Sequence, residues 1–166
     1  YNPAEPNSLI NIAELRERAA RGRFRLLEKP APLDADGKPM GAAVPRLVRE
    51  AKAEGAEWLY IGPDSFTAVH AEALTGTALD QGLPTFAATE LPLKSGRAMS
   101  GLVSPYYALG KLAARQAERI LIEGEPPARL PVAQLSRFSL VLNMPVVKEL
   151  AFYPPMRMLG IADILR

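Results

Sequence analysis

The chain has 166 residues, 48% hydrophobic and 23% charged, with 20 Lys and Arg against 18 Asp and Glu for a net charge of +2. That composition excludes a disordered tail and a coiled coil, and the small, scattered basic excess gives no argument for nucleic acid. With no cysteine and one histidine, His70, it also excludes disulfides, thiolate catalysis, Cys-ligated zinc and His-rich metal sites.

The length fits one domain with a real core. No apolar run reaches the roughly 18 residues of a membrane span, and no secretory leader is visible. The sequence opens on Tyr1-Asn2-Pro3 and not on Met. It reads as a piece of a longer or processed protein, so the lack of a leader assigns no compartment.

Sixteen prolines punctuate the chain. Residues 2–8 are turn-like, and Asn7 or Ser8 is the expected cap of a helix carrying Leu9, Ile12, Ala13 and Leu15, ended by Gly22. Phe24, Leu26 and Leu27 predict a short strand, and residues 32–41 a loop. A second helix is expected over residues 42–54, with Pro45 in its first turn. Trp58-Leu59-Tyr60-Ile61 reads as a buried parallel strand. A third helix, capped by Asp64 or Ser65, is expected to run to about residue 81. Residues 85–87 and 99–103 are strand-like, with a loop over residues 91–96 between them. A long helix follows from Tyr106 to about residue 123. In the tail, residues 137–143 predict a strand, residues 145–152 a helix, and residues 156–166 a last helix.

Strands alternating with helices imply an α/β fold, a doubly wound parallel sheet with helices on both faces in three layers, here with a C-terminal strand–helix arm. The expected division is an α/β ligand-binding lobe over residues 1–125 and a C-terminal crossover segment over residues 126–166.

In such a sheet, ligands bind at the carboxyl ends of the strands. The loops there hold residues 2–8, 62–65, 88–90 and 104–107, each running into a helix N-terminus that favours an anion such as a carboxylate. Asp64 is read as the only acid directly at a strand's carboxyl end, suited to a ligand ammonium. Ser65, Asn7 and Ser8 add hydrogen bonds, Thr89 lies in the same set of loops, and Phe66 and Tyr106 offer an aromatic wall. Against this, Asp64 and Ser65 also serve simply as helix caps. His70 has no nucleophile partner, and no G-x-S-x-G, H-E-x-x-H, phosphate-loop or dinucleotide motif occurs. No catalytic residue, metal or cofactor is expected.

Five stretches in order carry a family resemblance. They are Tyr1-Asn2-Pro3-Ala4-Glu5-Pro6-Asn7-Ser8; Ala56-Glu57-Trp58-Leu59-Tyr60-Ile61-Gly62-Pro63-Asp64-Ser65; Gly82-Leu83-Pro84-Thr85-Phe86; Tyr106-Tyr107-Ala108-Leu109-Gly110; and Leu130-Pro131-Val132 with Phe138-Ser139-Leu140-Val141-Leu142-Asn143. In this order they resemble the substrate-binding proteins of ABC importers, close to the tryptophan/tyrosine-binding lipoproteins of the type I periplasmic-binding-protein superfamily.

The resemblance implies two hinged lobes closing on a small solute. This chain would be the second lobe plus the C-terminal segment, beginning just after that lobe's first strand. The family's cleft residues fall on Asn7, Ser8, Asp64 and Ser65. The implied partners are a small-molecule ligand, amino acid or related organic solute, an ABC permease and an N-terminal lobe of the same protein. The implied location is periplasmic or extracytoplasmic, with a lipid anchor compatible. Pro105 stands where members often place an acid before the Tyr-Tyr pair, and residues 91–97 keep only Gly96 of the usual glycine pair. Both departures imply a specificity moved away from aromatic amino acids. A lobe lacking its first strand exposes unpaired backbone, so dimerisation or strand exchange is expected. The alternatives are a sensory or regulatory ligand domain of the same superfamily, and an enzyme on a doubly wound sheet.

Overall fold

The structure is a computed structural model that describes all 166 residues. Helix α1 (Pro6–Ala20) starts one residue before the expected caps. Pro6 occupies the first helical position, where its missing N–H costs nothing, and Glu5 takes the N-cap position in extended conformation without a side-chain cap. Asn7 and Ser8 therefore sit inside the first turn, with side chains free to reach other segments. The helix buries Ser8 and Ile12.

The strand expected at Phe24, Leu26 and Leu27 does not pair with any other strand. Its sequence is strand-like, but the chain offers it no neighbour. After the loop over residues 32–41, closed by an isolated bridge between Leu33 and Pro39, a single 3-10 turn (Gly41–Ala43) leads into α2 (Val44–Ala53). Val44, Val48 and Ala51 recur at i, i+4 and i+7 on its buried face, the spacing of an apolar helical stripe. Gly55 ends the turn after α2 with φ +87°, a left-handed conformation open to glycine at no steric cost.

Next come β1 (Leu59–Ile61), α3 (Ser65–Val69) and α4 (Ala71–Asp80). The single helix expected here breaks at His70, which leaves helical geometry with ψ 18°. The break lets the imidazole lie where a side chain on Gly41 would stand, with His70 Cε1 2.2 Å from that position. The ring also meets Phe66 edge-on at 4.8 Å. His70 is a packing residue.

The remaining elements are β2 (Thr85–Ala87), α5 (Leu91–Lys94), β3 (Ser100–Val103), α6 (Tyr106–Leu121), β4 (Ser139–Asn143), α7 (Met144–Glu149), α8 (Met156–Leu159) and β5 (Asp163–Leu165). The loop expected over residues 91–96 thus contains one helical turn. The helix expected over residues 156–166 is instead α8 followed by a strand, because Gly160 closes α8 and Ile164 pairs with Leu142.

The five strands form one sheet in the order β1-β2-β3-β4-β5. The pairs β1–β2, β2–β3 and β4–β5 are parallel, whereas β3–β4 is antiparallel, with Gly101 opposite Val141. The sheet is therefore mostly parallel and not wholly so: β4 returns from the α6 excursion running the opposite way. The core combines sheet residues Ile61, Ala87, Val103 and Val141 with helix residues Val44, Val48, Leu74 and Ala78. A smaller cluster of Leu79, Met99, Val146 and Val147 packs under α7.

Candidate functional site

Because β1, β2 and β3 run parallel, their carboxyl ends share one edge of the sheet. The segments leaving that edge hold two side-chain clusters.

The first joins α1 to β1. Asp64, only 6% exposed, follows β1 and caps α3: its Oδ1 accepts the Thr67 N–H at 2.6 Å. Its Oδ2 accepts the Ser8 hydroxyl at 2.9 Å and the Asn2 N–H at 3.2 Å. One buried carboxylate thereby fixes three segments, and its charge is balanced by three donors. Asn7 donates to the Pro63 carbonyl at 3.1 Å and to Glu5 Oε1 at 2.9 Å. The Ser65 N–H donates to Glu5 Oε2 at 3.1 Å, and its hydroxyl to Glu5 Oε1 at 3.3 Å. Asn7, Ser8, Asp64 and Ser65, predicted from sequence, come together here as one hydrogen-bonded group.

The second cluster joins β2 to α6. Glu90, 8% exposed, ends the segment after β2. Its Oε2 accepts the Tyr106 N–H at 2.7 Å, and its Oε1 pairs with Lys94 Nζ at 2.8 Å. Pro105 precedes α6 and has no side chain able to cap it, so Glu90 caps the helix from the neighbouring strand. Burial pushes the Glu90 carboxyl up. The Lys94 hydrogen bond and the Tyr106 N–H outweigh this and hold it below the usual carboxylate range. Thr89 is half-buried immediately before it, and Tyr106 is 48% exposed beside it. No hydrogen bond links the two clusters. Phe66 lies in the core, so it supports the edge from beneath and does not face the open side.

Two acids were missed by sequence reasoning, and each corrects it. Asp64 is not the only acid at a strand end, because Glu90 is a second. Two of the helix N-termini read as sites for a ligand carboxylate, those of α3 and α6, are already occupied by the chain's own carboxylates, Glu5 and Glu90. The only sequence signal was the position of Glu90 within the loop over residues 88–90. Glu5 gave none, since its partner Ser65 is 60 residues away.

Glu28 forms a further anchor beside α1. Arg16 binds it through two nitrogens at 2.6 and 2.7 Å, and the Tyr1 hydroxyl donates to it at 3.2 Å. The Arg16 hydrogen bonds hold the Glu28 carboxyl below its ordinary range, against the opposing effect of burial. A cleft of about 560 Å³ runs between this segment and β1, with Ser8, Asp64 and Phe66 in its lining. No group of acids or histidines is placed to hold a metal ion, and no helix is long and apolar enough to cross a membrane.

Comparison with known proteins bears on this arrangement. A family described as ABC transporter substrate binding protein matches residues 1–164. No curated protein matches the sequence. Among solved structures, a conserved domain protein from Vibrio cholerae O1 biovar eltor superposes with a TM-score of 0.83 at 26% identity, over 100% of this chain and 53% of that one. A ligand-free, open substrate binding protein with adhesive properties from Clostridium difficile gives 0.75 at 23% identity, over 100% and 52%. An ABC domain from Streptococcus pneumonia in complex with L-Trp gives 0.81 at 17% identity, over 100% and 53%. The latter two likenesses show the fold alone. The chain spans about half the length of each of these structures.

Proposed function

The chain belongs to the ABC transporter substrate-binding protein family, and from that premise we propose that it is one lobe of a solute-binding component of an importer. It would bind an amino acid or related small organic solute in a cleft completed by a second lobe of the same protein, by hinge closure and not by catalysis. A permease would receive the solute, and the protein would work outside the cytoplasm.

The observation carrying this reading is the convergence of α1, the segment after β1 and the segment after β2 on one edge. Of the three carboxylates there, Glu5, Asp64 and Glu90, only Glu90 is ion-paired with a side chain, Lys94; Asp64 and Glu5 accept from Ser8 and Ser65. Such an edge favours a solute bearing an ammonium group. Asn7 and Ser65, both exposed, supply hydrogen bonds to it. Tyr106 supplies an aromatic face, with Thr89 beside it.

The test is titration of the full-length protein with a panel of amino acids, amines and organic acids by calorimetry. An amine-bearing solute is expected to bind. Ser65→Ala and Asn7→Ala should weaken it about tenfold each, the scale of one lost hydrogen bond to a charged group. Glu72→Ala, on the exposed side of α4, should change nothing. Binding of organic acids only, or equal losses in all three variants, would overturn the assignment.

A further inference from the structure

We propose that the concavity bordered by Arg18, Arg21, Arg23 and Phe24, at the end of α1 remote from the polar edge, is a binding site for a phosphate group. The inference rests on how the fold distributes its cations and is independent of which solute the edge binds.

The basic excess is local once it is placed on the fold. Residues 16–29 carry six arginine and lysine side chains against two glutamates, a larger surplus than the whole chain's net charge of +2. Most of these cations are engaged within the chain. Arg16 grips Glu28 through two nitrogens, Lys29 pairs with Glu54, and Arg25 donates to the Glu54 carbonyl at 2.9 Å. Arg21 pairs with Glu17. Arg18 and Arg23 enter none of the chain's ion pairs, and neither guanidinium donates a hydrogen bond within the chain.

The turn after α1 brings these two together. The helix ends at Ala20, and Gly22 reverses the chain at φ +83°. Arg23 and Phe24 thereby return beside Arg18 and Arg21, and the four side chains line one concavity of about 340 Å³. That volume is within the range of small-ligand sites. Like charges gathered on one concavity repel, and Glu17 offsets only one of the three.

Helix chemistry does not account for the grouping. Cations are favoured at a helix C-terminus, which covers Arg18 and Arg21 but not Arg23, beyond the reversal. Nor do the guanidiniums serve as caps. The Arg18 and Ala19 carbonyls already accept the Arg21 and Gly22 N–H groups at 3.2 and 2.9 Å.

Guanidinium geometry selects the ligand. Each planar fork can donate two parallel N–H bonds to one oxyanion. A carboxylate has a single charge and two oxygens, which one arginine satisfies. A phosphate monoester carries nearly two charges on its terminal oxygens, enough to engage several guanidiniums at once. The site is separate from the polar edge. Ser8 and Arg18 lie about 15 Å apart along α1, at ~1.5 Å per residue.

Calorimetric titration of the full-length protein with inorganic phosphate, and with acetate at matched low ionic strength, tests this. Phosphate should bind saturably, and acetate about tenfold or more weaker. Arg18→Gln and Arg23→Gln, both on the exposed surface, should each weaken phosphate about tenfold, the scale of one charge-assisted hydrogen bond. Arg46→Gln, on α2 and paired with Glu50, should leave phosphate binding unchanged. So should Ser65→Ala, which separates this site from the solute edge. Sedimentation with phosphatidylcholine vesicles containing phosphatidic acid identifies the source. Retention that Arg23→Gln abolishes assigns a lipid headgroup, whereas phosphate binding without retention assigns a free phosphate or small ester. Absence of saturable phosphate binding would overturn the proposal. Acetate binding as tightly as phosphate, or an equal loss in Arg46→Gln, would also overturn it, since either marks a generally basic surface.

Discussion

Replacing Asp64 by alanine measures how far one carboxylate holds the polar edge together. The substitution removes three acceptor contacts: Thr67 N–H at 2.6 Å, Ser8 hydroxyl at 2.9 Å and Asn2 N–H at 3.2 Å. Loss of the α3 cap costs about 1 kcal/mol. The Ser8 hydroxyl, on a residue only 3% exposed, is left buried without an acceptor at about 1–3 kcal/mol. The Asn2 N–H is half-buried and recovers water, adding little. The sum is about 2–4 kcal/mol. For a chain of this size each kcal/mol moves the melting temperature by about 2–4 °C, so a fall near 10 °C is expected. Urea unfolding followed by circular dichroism gives the free energy, and a cycle with Ser8→Ala should return a coupling of about 1 kcal/mol. A change within about 0.5 kcal/mol, the size of a neutral surface substitution, would refute the clamp and leave Asp64 as an ordinary rim acid.

Three further outcomes follow from local geometry. A side chain on Gly101 would stand 2.6 Å from the Ala87 carbonyl, so Gly101→Ala should push β2 from β3 and cost about 1–3 kcal/mol by urea midpoint. Ala151 holds φ 50° after α7, a left-handed conformation costly to alanine. Ala151→Gly should therefore raise the midpoint, by about 0.5–1 kcal/mol, and a lowered midpoint would contradict this. The Glu90 carboxyl lies below its ordinary value of 4.5 in the folded chain. Its contribution is complete above that pH and disappears as pH falls toward the lower folded value. Glu90→Gln should accordingly show a shallower loss of stability than the parent between pH 5 and acid, as read by thermal melts across that range.

The sequence made legible what local chemistry controls. Gly22, Gly55 and Gly82 end their helical segments with positive φ, and Pro6, Pro45 and Pro105 mark helix starts. The apolar runs of β1 and β2 announced parallel strands, and Asn7, Ser8, Asp64 and Ser65 could be gathered from their loops. What was not legible depends on distant partners. The run at Phe24 to Leu27 has strand chemistry, but whether a ladder forms depends on a neighbour that local pattern does not register. The break at His70 accompanies its packing against Gly41 and Phe66. Glu5 was silent and Glu90 was legible only by its loop position, because the N–H groups they accept lie 60 and 16 residues away. The closing strand β5 was hidden by an apolar spacing that suits a helix equally well.

The central claim is that the carboxyl ends of β1, β2 and β3 form one edge that grips a small solute. Amide chemical-shift mapping of the full-length protein, titrated with the solute that binds in calorimetry, tests it most directly. Perturbations are expected at Asn7, Ser65, Thr89 and Tyr106, and not on the exposed face of α4. A saturable solute whose perturbations fall on α4 or α7, with those four amides unmoved, would contradict the account.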